Sequence, residues 1–247
     1  MKLTVIGMWG GFPKKDGPCS GYLLEHHDFS LLIDCGSGVL VKLQEFIDLN
    51  NIHDVILSHY HYDHSNDIGA YMFSRLVNTQ LGRVDKPLSI YGPYSSEKEK
   101  EISAVPYNDF YAIHMCSKLE IGPFYITFMK TVHPVETYGM KIECEGKQIV
   151  YTSDTSFTEE LVEFAAGADL LIAESSLYDG MDGETSGHMT AKEAGILAAR
   201  ADAKQTLLTH LPHYGNLEEL LTSAKAQGKS AIRLAQPGSI WDSSVSP

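Results

Sequence analysis

The chain has 247 residues, 43% of them hydrophobic, and carries 19 Lys and Arg against 32 Asp and Glu, a formal net charge of −13. That length and apolar content suit one substantial core, so a single domain over residues 1–247 is expected. The acidic balance disfavours long polyanionic partners, whose affinity comes mainly from phosphates neutralised by Lys and Arg, and no apolar stretch is long enough to span a membrane.

In chain order, strand-like runs fall at 3–7, 22–25, 30–34, 55–58, 88–91 and 124–130, then at 140–144, 148–152, 170–173, 206–209 and 232–235. Helical patterns cover 38–50, 67–79, 158–166, 190–201 and 217–225. Residues 95–101 carry alternating charges and read as a solvated helical face. The runs 140–144 and 148–152 should form a hairpin across Glu145-Gly146-Lys147, because glycine supplies the positive φ such turns need. The start of the chain breaks at Gly7 without a small-residue cleavage site and reads as a first strand, not a leader. Cys19, Cys35, Cys116 and Cys144 are scattered without a CxxC spacing, the pattern of reduced thiols in a cytoplasmic protein, with Cys35 in the core.

The chemistry concentrates at His59-Tyr60-His61-Tyr62-Asp63-His64, directly after the apolar run Val55-Ile56-Leu57. Extended backbone puts His59 and His61 on one side of the chain, and a turn after them lets Asp63 and His64 swing back toward the same volume. One short loop can thus offer ligands to two neighbouring ions. Imidazole and carboxylate suit Zn2+, with Mn2+ or Fe as substitutes, and the segment holds no thiolate to demand a softer metal.

The pattern His-x-His-x-Asp-His resembles the signature of the metallo-β-lactamase fold hydrolases. Further candidates follow in order, each at the end of an apolar run: His133 in Thr131-Val132-His133-Pro134, Asp154 in Tyr151-Thr152-Ser153-Asp154-Thr155, and His210 in Leu207-Leu208-Thr209-His210. The resemblance covers residues 1–241 and implies an α/β fold, a four-layer αβ/βα sandwich. It also implies two divalent metal ions. His59, His61 and His133 would hold the first, Asp63, His64 and His210 the second, and Asp154 would bridge them.

Three finer features resemble the phosphodiesterase branch related to RNase Z. They are Gly187-His188-Met189-Thr190 with Thr190 near a helix cap, the strand Leu170-Leu171-Ile172-Ala173 ending in Glu174, and the pair Asp154-Thr155. In that branch the carboxylate partners the motif histidine, which here would be Glu174 with His188.

Two ions about 3.5–4 Å apart can clamp both the attacking and the leaving oxygens of an in-line displacement and lower the pKa of bound water toward about 7. A hydroxide held between them is the expected nucleophile. Asp63, besides ligating, could orient it or collect its proton, and His188 held by Glu174 could act as the acid, so the catalytic candidates are Asp63, His188 and Glu174.

The expected substrate is a small phosphodiester of the cyclic nucleotide or cyclic ribosyl phosphate type. Enzymes of this family that process tRNA carry a Gly- and Pro-rich arm that grips the tRNA, whereas 155–188 has room only for a helix, a strand and a short loop. An endoribonuclease of the RNase Z type, with a homodimer partner supplying RNA contacts, stays open as an alternative, as does lactam or thioester hydrolysis on the same scaffold. Lys14 and Lys15 in the Gly-rich loop near Gly10-Gly11-Phe12-Pro13 read as solvated or as approaching a phosphate, and His213 and Tyr214 as pocket lining or as loop packing.

Overall fold

Successive buried side chains in the first strands alternate between two cores. The structure, a computed structural model, describes residues 1–115 and 118–245, so Cys116 lies outside the described residues. The first half forms β1 (Lys2–Gly7), β2 (Gly21–His26), β3 (Phe29–Ile33), β4 (Asp54–Ile56), β5 (Leu88–Pro93) and β6 (Asn108–Ile113). The second forms β7 (Lys118–Ile121), β8 (Phe124–Lys130), β9 (Tyr138–Cys144), β10 (Lys147–Tyr151), β11 (Leu170–Glu174), β12 (Gln205–Thr209) and β13 (Ala231–Leu234). A last strand, β14 (Ile240–Asp242), returns to pair with β1.

Among the described residues these make two seven-stranded mixed sheets, ordered β14-β1-β2-β3-β4-β5-β6 and β13-β12-β11-β10-β9-β8-β7. In the first sheet Leu24, Leu31, Ile33 and Ile56 face a core shared with Ile126, Met140, Ile142 and Ile149 of the second. Their neighbours Leu23, Leu32, Val55 and Ile90 face the other way, onto an outer layer of helices. That layer comprises α1 (Val39–Leu43), α2 (Tyr62–Ser65), α3 (Ile68–Gln80) and α4 (Ser96–Ser103). On the far side follow α5 (Glu159–Phe164), α6 (Gly183–Ser186), α7 (Ala191–Arg200) and α8 (Leu217–Lys225). The result is the expected four-layer α/β sandwich.

Several local expectations differ in detail. The expected 38–50 helix is cut to α1 plus a 3-10 turn at Leu49–Asn51, because the Asp48 carboxylate accepts the Asn50 N–H and starts a new turn. The β9–β10 hairpin turns on Glu145 and Gly146 alone, both at positive φ, with Lys147 already paired to Cys144. Strands β6, β7 and β14 escape the apolar pattern because they are edge-facing or half-exposed, as the burial of β6 shows. Residues 95–101 do form a solvated helix, with Ile102 as its buried anchor. Cys19, Cys35 and Cys144 are free and buried, and burial pushes the Cys19 thiol up to about 12. No helix among the described residues is long and apolar enough to cross a membrane.

Candidate metal centre

Loops at one rim of the two facing sheets carry the site. His59 follows β4, His133 follows β8, Asp154 follows β10, Glu174 ends β11 and His210 follows β12. Three residues at these strand ends take left-handed backbone, Asp34 (φ 56), Ser153 (φ 52) and His210 (φ 52), which turns the chain sharply into the rim. After His61, which is still extended, α2 provides the turn that brings Asp63 and His64 back beside His59.

All seven proposed ligands converge in two groups that share Asp154. In the first, Nδ1 of His61 lies 3.1 Å from Nε2 of both His59 and His133, and Oδ2 of Asp154 lies 3.7 and 3.8 Å from those two nitrogens. In the second, Nε2 of His210 is 3.0 Å from Oδ2 of Asp63 and 3.3 Å from Oδ2 of Asp154, while Nε2 of His64 is 3.3 Å from Oδ1 of Asp154. Donors around a tetrahedral ion with bonds near 2.0–2.1 Å sit about 3.3 Å apart, the spacing seen here.

Four of the five imidazoles, those of His59, His64, His133 and His210, are turned by a partner on the other nitrogen. Asp34 accepts from Ser58 N–H (2.7 Å), Ser58 Oγ–H (2.9 Å), Tyr151 O–H (2.8 Å) and His64 Nδ1–H (2.8 Å). With the Ser58 proton given to Asp34, His59 must donate from Nδ1 to Ser58 Oγ (3.0 Å), leaving its Nε2 lone pair for the centre. His133 donates from Nδ1 to the Gly187 carbonyl (3.0 Å). The Ser176 hydroxyl donates to Glu174 Oε2 (2.8 Å) and accepts from His210 Nδ1 (2.6 Å). These contacts fix ring orientation and tautomer as metal-holding imidazoles require.

Buried His64 Nε2 and Asp154 Oδ1 have no hydrogen-bond partner among the described residues. Two buried ligand atoms 3.3 Å apart that no protein group satisfies are what a divalent cation would hold, so the donor set fits divalent metal. Burial, reinforced by the neighbouring His64, holds His59 well below the usual histidine pKa, and burial likewise lowers His133, which keeps both lone pairs available.

His188 stacks on His210 at 5.2 Å and meets His133 edge-on at 5.1 Å. Its Nδ1 donates to Glu174 Oε1 (2.8 Å), which also accepts the Thr155 N–H (3.0 Å). Burial opposes charge on this ring, yet the Glu174 carboxylate outweighs it and raises the pKa to about 9. The His188 side chain keeps 21% exposure where His59 and His64 have none, so it stands on the open side. Thr190 caps α7 in a reciprocal capping box with Glu193, which fixes the backbone two residues past His188.

Sequence reasoning did not single out Asp34, Ser58, Tyr151, Ser176 or Gly11, whose N–H donates to Asp63 Oδ2 (2.6 Å). For Asp34 a signal exists, a carboxylate closing the apolar run Leu31-Leu32-Ile33. Lys14 lies over the Trp9 ring at 4.2 Å. His213 stacks on Phe12 at 3.7 Å and its Nε2 meets the Gly10 carbonyl at 3.0 Å, so it pins the 9–12 loop over the second group. Tyr214 remains half-exposed beside it.

A family model described as "Beta-lactamase superfamily domain" matches residues 30–211. The chain belongs to this superfamily. Within it, the chain is 41% identical over 243 residues to "Probable metallo-hydrolase YhfI" of Bacillus subtilis (strain 168), covering 98% of this chain and 100% of that protein. The crystal structure of YhfI, titled a metallo-beta-lactamase fold protein, matches with a TM-score of 0.95 over 97% of this chain and 98% of that one. More distant superfamily folds include human tRNase Z, short form (TM-score 0.76, 20% identity, 98% and 99% covered). Another is a diphosphatase from the PhnP family (TM-score 0.77, 19% identity, 98% and 97% covered).

Proposed function

We propose that the protein is a dinuclear metal-dependent phosphodiesterase acting on small phosphodiesters of the cyclic nucleotide or cyclic ribosyl phosphate type. The observation that carries this reading is the pair of donor groups sharing Asp154, with a charged histidine standing on their open side. His59, His61 and His133 would hold one ion, Asp63, His64 and His210 the other, with Asp154 common to both. Nitrogen and carboxylate donors without thiolate favour Zn2+, with Mn2+ or Fe as substitutes. When bound, such a pair supplies Lewis acidity and water made acidic enough to attack near neutral pH.

The chain's own groups supply the rest. Glu174 holds His188 by Nδ1 and leaves Nε2 to serve a substrate. As an imidazolium, His188 stabilises charge on a phosphate oxygen and can deliver its proton to a leaving alkoxide. Asp63 accepts the Gly11 N–H, so its carboxylate keeps one orientation while it ligates or receives a proton. The strand-end loops leave Phe12 60% exposed beside the centre, an apolar edge suited to a compact substrate.

Two relatives' names bear on the substrate. Proteins named ribonuclease Z are similar at 24% identity, and the PhnP-family neighbour is named a diphosphatase, so both point to phosphate esters or anhydrides. The small-substrate reading gains from residues 155–188, which here are taken up by α5, β11 and the short α6, and from the net charge of −13.

The test is turnover of bis(p-nitrophenyl) phosphate by zinc- and manganese-reconstituted protein, with metal content measured alongside. Hydrolysis lost in Asp154→Ala, and slowed in His188→Ala with metal retained, is the expected result. Two bound metals without hydrolysis of this ester, or of cyclic nucleotides, sinks the reading in favour of lactam or thioester substrates. Faster cleavage of a tRNA precursor than of any small diester would instead favour RNase Z chemistry.

A further inference from the structure

A second cluster of metal-ligating side chains lies at the opposite rim of the sandwich. The β2–β3 hairpin turns on His27 and Asp28, with His26 paired to Phe29. The β9–β10 hairpin turns on Glu145 and Gly146. One turn belongs to the first sheet and the other to the second, and the two tips meet. Nε2 of His26 lies 3.5 Å from Oε1 of Glu145, and His26, His27 and Glu145 each offer one ligand atom within 4.8 Å of the others.

The backbone of the two tight turns, which take positive φ as two-residue hairpins do, brings these side chains together. Adjacent residues on a strand point to opposite faces, so consecutive histidines ordinarily diverge. His27 instead has φ 51, left-handed backbone that costs a β-carbon-bearing residue about 1–2 kcal/mol. That turn lays its ring against His26, with centroids 4.1 Å apart. Glu145 has φ 49, so the other tip also places a large side chain where glycine or asparagine is cheapest. The left-handed His27 and Glu145 thus both turn their side chains toward His26.

We propose that His26, His27 and Glu145 form a separate transition-metal site that clips the two sheets together. Two imidazoles and one carboxylate match Zn2+, and also Ni2+ or Cu2+, better than Mg2+ or Ca2+, which want oxygen donors. Three protein ligands leave a position for water, and the exposed His27 and Glu145 leave the site open to an ion from solvent. The site is distinct from the His59 cluster, since the length of β10 and its flanking residues puts Glu145 roughly 20 Å from Asp154. Its expected role is structural: bound zinc stabilises the folded state by binding it selectively.

Zinc binding to zinc-loaded protein, measured by equilibrium dialysis at micromolar free Zn2+, tests this against His27→Asn and Glu145→Gln. Asparagine tolerates left-handed backbone, so His27→Asn removes the imidazole without imposing new strain. The wild type should hold one more equivalent than His27→Asn, bind it more tightly than Glu145→Gln, and gain zinc-dependent Tm that both variants lack. Ester hydrolysis should be the same in all three. Because the readout is the difference between proteins, it does not depend on how many ions the His59 cluster holds. Equal zinc content and equal zinc-dependent Tm in the three proteins would overturn the proposal.

Discussion

Replacing Asp34 by Asn tests whether the centre is organised from behind. Asp34 is fully buried and touches no proposed ion, yet it accepts four hydrogen bonds, three of them on Oδ2 from Ser58, His64 and Tyr151. Its φ of 56 suits asparagine as well as aspartate, so the substitution changes chemistry and leaves the backbone alone. The amide oxygen can replace Oδ2, but the NH2 group then faces the Ser58 N–H, a donor against a donor 2.7 Å away. One buried unsatisfied donor costs about 1–3 kcal/mol of stability. Loss of the carboxylate behind His64 also makes that imidazole a poorer ligand, which for such partners typically means about 10–100-fold in metal affinity. At about 1.4 kcal/mol per decade, that is roughly 1.4–2.7 kcal/mol of binding. Chelator competition should show one ion released much earlier than in the wild type, and urea unfolding of the metal-free protein should show the stability loss. Metal affinity within a factor of about two of wild type would refute the idea that Asp34 sets the basicity of His64.

Gly10→Ala should lower metal content and activity more than stability, because a Cβ there would sit 2.6 Å from Cε1 and 2.7 Å from Nδ1 of His210, and metal ligands tolerate displacements of only about 0.2 Å. Unchanged metal stoichiometry in that variant would show that the 9–12 loop yields instead. Asp169 is nearly buried, which opposes its charge, but Lys204 (2.7 Å) and the Gln148 N–H (2.9 Å) outweigh that and lower its pKa. Its stabilisation is therefore full above the unfolded value near 3.9 and fades as pH falls through the lower folded value. The urea midpoint difference between wild type and Asp169→Asn should be flat above about pH 5 and shrink below about pH 4, and a gap that widens in acid would reverse the sign of this argument. Thr190→Ala removes the hydroxyl that accepts the Glu193 N–H and should cost about 1 kcal/mol by thermal or urea unfolding.

What the sequence makes legible follows from how directly a residue's identity states its task. His59, His61, Asp63 and His64 stand out because a metal demands particular atoms, and a short segment can meet that demand only with an unusual density of imidazole and carboxylate. The order of His133, Asp154 and His210 at successive strand ends is legible for a related reason, since a layered sheet gathers its strand ends at one rim. Asp34 and Ser176 act through tertiary neighbours 30 and 34 residues away along the chain, and a serine or aspartate after a strand has many commoner uses. Edge strands such as β6 are hidden by their exposure, and the 38–50 helix by a local cap at Asp48 that competes with apolar spacing. The ligands and the residues that orient them should therefore differ in how mutation is felt. Loss of a proposed ligand such as Asp154 should empty the centre, whereas Asp34 or Ser176 variants should keep a centre of altered affinity, because the donor atoms remain and only their basicity and aim have changed.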